Sequence, residues 1–142
     1  MATGQYRKQN LLPSDLDVTV VRAAAAPTTS YVATTEIDCR GFREVDFFVH
    51  VASAGSITKL TVKPETGQAL STSTIEYATY LTETISSGVA TTNEYEVELN
   101  DPAPSTTPVY KVTVPVEGRF VRVSIKSDSA TGTVGIYAQR RV

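Results

Sequence analysis

The side chains that could do chemistry in this 142-residue chain are few, and their spacing limits what they can do. Cys39 lies beside Arg40 and close to Arg43. Neighbouring cations lower a thiol pKa and make the thiolate a better nucleophile. His50 is the single histidine, so a nucleophile–base pair would have to join Cys39 to His50. The cysteine falls in a turn at 38–41, and the histidine alternates outward on the next strand beside Asp46 and Phe48. No oxyanion-hole motif stands near either. Cys39 therefore reads as a small buried or turn thiol and His50 as a surface or interface histidine, and no catalytic residue is expected.

Glu94, Glu96 and Glu98 line one face of an alternating segment with Asp101 close behind, a set that could attract a hard cation. Side chains two apart on a strand stand roughly 7 Å apart, too far for three carboxylates to share one ion unless a neighbour contributes. The reading is a solvated or partner-facing acidic stripe. No zinc spacing, Gly-rich phosphate loop or Gly-x-Ser-x-Gly elbow occurs, so no metal and no cofactor are expected. Thirteen basic against fifteen acidic residues exclude a strongly basic nucleic-acid binder. Arg22, Arg122, Lys126, Arg140 and Arg141 are not interleaved with exposed aromatics on one strand, as a single-strand stacking platform would require. The chain has no Trp, which argues against sugar stacking. Tyr31, Tyr77, Tyr80, Tyr110 and Tyr137 keep a carbohydrate-binding alternative open.

The elements that must position these groups are strands. Thr and Val supply 21 and 18 residues, both β-branched and suited to a pleated surface. Residues 23–26, all Ala, form too short a run to nucleate a helix before Pro27 and read as an extended linker. Alternation with a period of two recurs. It places Val45, Phe47, Val49 and Val51 inward, then Tyr95, Val97 and Leu99, then Tyr110, Val112, Val114 and Val116, then Val121, Val123 and Ile125. Leu16, Val18 and Val20 make a further row. Other strands are expected over 30–37, 57–63, 74–85 and 133–139, about nine in all. Turn chemistry lies between them at 38–41, 54–56, 64–68, 86–88, 100–108, 117–118 and 127–132.

This spacing predicts an all-β fold, an antiparallel β-sandwich or barrel of eight or nine strands, with a two-sheet jelly roll the most economical closure. The chain divides into an extended N-terminal arm, 1–15, and one sandwich domain, 16–142. The arm carries Tyr6, Arg7, Leu11 and Leu12, which have no core position of their own and are expected at a protein interface. One cysteine allows no internal disulfide. The N-terminus lacks an apolar signal region, and no stretch reaches the roughly 18 apolar residues of a spanning helix. Synthesis in a reducing cytoplasm and no membrane partner are expected.

Residues 35–51, TEIDCRGFREVDFFVHV, and 118–137, GRFVRVSIKSDSATGTVGIY, carry a resemblance to the head decoration or cement proteins of tailed bacteriophages. The resemblance rests on Ile37, Asp38, Gly41, Phe42, Val45, Phe47 and Val49, and on Gly118, Arg119, Phe120, Val121, Arg122, Val123 and Gly135. It implies a non-catalytic structural protein, made in the host cytoplasm and located on the virion. Such a protein would bind the major capsid protein from outside as a dimer or trimer, cementing adjacent subunits without nucleic acid. Discoidin-like sugar-binding sandwiches share parts of the pattern. The alternative is therefore a carbohydrate- or receptor-binding module of a tail or appendage.

Overall fold

The computed structural model describes residues 18–69, 74–102 and 109–142, and among them there is no helix. Twelve strands follow one another: β1 (Thr19–Ala25), β2 (Val32–Ala33), β3 (Ile37–Asp38), β4 (Glu44–Ser53), β5 (Lys59–Ala69), β6 (Ile75–Thr79), β7 (Leu81–Ser86), β8 (Val89–Glu94), β9 (Val97–Asn100), β10 (Val109–Pro115), β11 (Phe120–Ser127) and β12 (Thr133–Arg141). The first sheet has the order β1-β12-β4-β10. The second has β2-β11-β5-β6, with β3 also on β11 and β9 also on β5. All of these pairs are antiparallel.

The pairs are nested. β1 takes β12, β2 and β3 take β11, β4 takes β10, and β5 takes β6 and β9. Successive pairs fall in alternate sheets, which is one long antiparallel ribbon rolled over itself, the jelly-roll arrangement. The two sheets close on a single buried cluster. Val45, Phe47, Val49 and Val51 from β4, with Val134, Ile136 and Ala138 from β12, meet Leu60 and Val62 from β5 and Val121, Val123 and Ile125 from β11. Burying these side chains stabilises the fold by roughly 1.5–3 kcal/mol each.

Several sequence expectations are corrected here. In β1 it is Val21, 4% exposed, that enters the core, while Val20 is 57% exposed and Val18 is also exposed. Register irregularities between Val20 and Arg22 and between Arg22 and Ala25 break the simple alternation. Ala23 and Ala24 belong to β1 rather than to a linker. The expected strand at 30–37 is two short pieces, β2 and β3. The expected strand at 74–85 divides at Tyr80 into β6 and β7. Residues 93–100 divide between β8 and β9.

The expected turn at 64–68 is in fact the middle of β5. Pro64 sits opposite Val123, whose N–H and C=O are both engaged by Thr34 on the far side of β11. In an antiparallel pair the opposite residue then also points its N and O away, here toward the other edge of β5. On that edge β9 pairs with Lys59 to Val62 and β6 begins at Glu65, so Pro64 falls in the gap between them. A proline there removes no ladder donor.

Candidate functional site

The acidic stripe lies on the outer face of the second sheet, and each carboxylate meets its own partner. Glu98 pairs with Lys59 at 3.2 Å, and Glu94 with Lys63 at 3.6 Å. Glu96 accepts a hydrogen bond from the Tyr31 hydroxyl at 2.5 Å. Lys63 and Lys126 both place their ammonium groups over the Tyr31 ring, at 4.2 and 4.6 Å from its centroid. Burial, with the Glu96 hydrogen bond and the carboxylates around it, pushes the Tyr31 hydroxyl far above the ordinary tyrosine pKa. A groove of about 380 Å³ runs beside this cluster between Lys59, Lys126, Glu96 and Asp128. Asp128 accepts from the Thr58 and Lys59 backbone N–H groups and from the Thr58 hydroxyl, whose hydrogen bond leads the effects that hold its carboxyl below the usual range.

Further along the same face the Arg122 guanidinium lies 3.5 Å from the Tyr77 ring centroid, and its Nε donates to Glu65 at 3.2 Å. Glu65 also accepts from the Ser124 hydroxyl. Tyr77 faces Gly67 across the β5–β6 pair, and a Cβ at Gly67 would come within 2.7 Å of the Tyr77 ring. These cation–aromatic contacts are absent from any single strand's sequence because β11 and β5 bring the cations while β6 and the segment before β2 bring the rings. The sequence signal available was only the outward alternation of Arg122, Ser124 and Lys126. The structure also differs in burying Ser124, which sits against Glu65.

Cys39 is 1% exposed, and its thiol is pushed up to about 11 by burial, with Asp38 adding to the rise and Arg140 opposing it. The neighbouring Asp38 holds Arg119 and Arg40, each at 3.1 Å, so Arg40 is committed to a carboxylate. His50 is half-buried on the outer face of the first sheet, with its ring 6.4 Å from that of Tyr137. Asp46, also on that outer face, is nevertheless only 4% exposed, because Arg141 Nε at 2.9 Å and the Thr113 hydroxyl at 2.7 Å cover it. Among the described residues no three His, Cys, Asp or Glu side chains gather to hold a metal ion. No described helix is long and apolar enough to cross a membrane. The expected interface residues Tyr6, Arg7, Leu11 and Leu12 lie outside the described residues.

Sequence reading expected a strand through 85 and the turn at 86–88 but missed the returning strand β8, and with it the β7–β8 hairpin. Its six cross-strand pairs run from Leu81–Glu94 to Ser86–Val89, and all twelve residues are exposed. Ser87 and Gly88 turn the chain with φ of 52° and 75°, the two positive values that a type I′ hairpin turn requires. The Tyr95 N–H donates to the Tyr80 carbonyl at 2.7 Å and closes its base. Leu81, Ile85 and Val89 stand in solvent, with Ile85 70% exposed. Cross-strand pairing sets Leu81, Glu83 and Ile85 on one face with Ala90, Thr92 and Glu94, and Val89 on the other. Two-stranded hairpins are marginal alone in water, and this one buries no side chain to offset the entropy of ordering it.

Other exposed apolar groups lie on the first sheet. Val20 pairs with Tyr137, Tyr137 with Phe48 and Phe48 with Lys111, so these four side chains cross its outer face in one row. Val109, 58% exposed, lies beside His50 in the next row. No protein-family model matches the chain, and no curated protein matches it either.

Proposed function

We propose that this protein is a non-catalytic structural component of a tailed-phage virion that binds the outside of the capsid and holds neighbouring subunits together. The observation that carries the reading is the β7–β8 hairpin, an ordered, wholly exposed arm with apolar residues that its own domain leaves uncovered. Such an arm works in an assembly, where a neighbour supplies the burial that the domain does not. The charged residues support the same reading: Glu65, Glu94 and Glu98 are each paired with an Arg or Lys and the thiol is buried and protonated. Many copies on a symmetric shell multiply a modest contact by avidity.

The test is co-sedimentation of the purified chain with capsid shells of its virion lacking this protein, followed by heat challenge of the shells. The full chain is expected to bind and to raise the temperature at which shells break. A variant that joins Tyr80 to Tyr95 through a two-residue turn should fold and lose most of both effects. Deleting residues 1–15 should likewise weaken binding while leaving the domain folded. Shells that neither bind the full chain nor gain heat resistance would overturn the proposal.

A further inference from the structure

We infer that the β7–β8 hairpin of one copy docks on the outer face of the first sheet of a second copy, with Glu83 meeting Lys111. This rests on reading the protein as an assembly component and names the partner of its arm.

Three observations fix the occupant. First, the exposed apolar side chains outside the hairpin concentrate on the first sheet, with Val20 and Val109 flanking the half-buried Phe48, His50 and Tyr137. The outer face of the second sheet is instead closed by its own ion pairs and cation–aromatic contacts. Second, the charges are complementary. Residues 74–102 contain six acidic residues and no Lys or Arg. Glu94 and Glu98 are paired and Glu96 is hydrogen-bonded; of Glu76, Glu83 and Asp101, which have no ion pair among the described residues, Glu83 is the one on the hairpin, between Leu81 and Ile85. Lys111, at the β10 end of the Val20–Tyr137–Phe48 row, likewise has no ion pair among the described residues. Third, the dimensions agree. Leu81 to Ile85 spans about 13 Å along a strand, and four strands at about 4.8 Å spacing make a row of about 14 Å. Laid along that row, Leu81 and Ile85 fall near its two ends and Glu83 near its middle, about 7 Å along the row from Lys111, a gap the long Lys111 side chain spans.

Sedimentation equilibrium of the isolated chain, without capsid, tests this contact separately from capsid binding. The wild-type chain is expected to self-associate. Ile85→Lys, Glu83→Lys and Lys111→Glu should each weaken association by about tenfold or more with unchanged melting of the monomer fold. Combining Glu83→Lys with Lys111→Glu should restore most of it. A chain that stays monomeric, or one whose association ignores these changes and vanishes only on deletion of residues 1–15, would overturn the inference. Failure of the double variant to recover would also overturn it, because the first sheet would not then be the receiving face. Self-association as expected without capsid binding would leave this contact standing and sink the capsid reading instead.

Discussion

The Arg122 guanidinium stacks 3.5 Å from the ring centroid of Tyr77, joining β11 to β6 across the intervening strand β5. Glu65 on β5 lies directly opposite Arg122 and holds its Nε. A cation over a partly desolvated ring contributes roughly 0.5–2 kcal/mol. Arg122→Ala and Tyr77→Ala should each cost about 1–2 kcal/mol, and the double variant should cost less than their sum. Urea denaturation of the four proteins in the cycle measures the difference, and additive losses would mean that the two side chains act independently.

Register in β1 can be checked directly. Val21→Ala should destabilise by roughly 1–3 kcal/mol, as should Val123→Ala on β11, because both side chains are buried. Val20→Ala should stay within about 0.5 kcal/mol in the dissociated chain. The reverse order would restore the uninterrupted alternation that the sequence alone indicates.

Arg40 and Arg141 both form ion pairs near the surface, yet their loss should differ. Arg141→Ala strips the main cation from the buried Asp46 carboxylate and should cost about 1–3 kcal/mol. Arg40→Ala leaves Asp38 with Arg119 and access to water, and should cost no more than about 0.5 kcal/mol. Equal losses in thermal melts would contradict the difference in burial.

Acid should weaken the fold partly through Asp38. Burial alone would raise its carboxyl pKa, but donors from Arg119 and Arg40 outweigh burial and hold it below the usual range. Its contribution is thus present above the unfolded carboxyl pKa of about 3.9 and fades as pH falls through the lower folded value. Asp38→Asn should therefore destabilise at neutral pH and flatten the stability profile below about pH 4. Urea midpoints between neutral and acid pH read this directly.

Cys39 should be inert at neutral pH. With its pKa pushed up to about 11, the folded thiol stays protonated, so iodoacetamide should modify it far more slowly than free cysteine. The same shift contributes stability below the unfolded thiol pKa of about 8.5, which is lost as pH rises through the folded value. Cys39→Ser should leave capsid binding within about 1 kcal/mol of the wild type. Rapid alkylation of the native protein would sink this account.

Alternation by itself determined the all-β class and most of the core. The inward rows Val45–Phe47–Val49–Val51 and Val121–Val123–Ile125 are all buried, because a period of two commits one face of a strand to the interior whichever strand lies beside it. Local pattern failed where a partner decides the outcome. Pro64 reads as a turn in isolation, and only the gap between β6 and β9 makes it a tolerated strand residue. Val21 rather than Val20 is buried because β1 shifts register against β12. The returning strand of the hairpin escaped because β8 is rich in Thr and Asn and has no buried face to impose alternation. The arrangement of Tyr31 with Lys63 and Lys126, and of Tyr77 with Arg122, depends on which strands lie side by side. Strand order is set by how the nested pairs roll into two sheets, a long-range packing outcome that no single segment encodes.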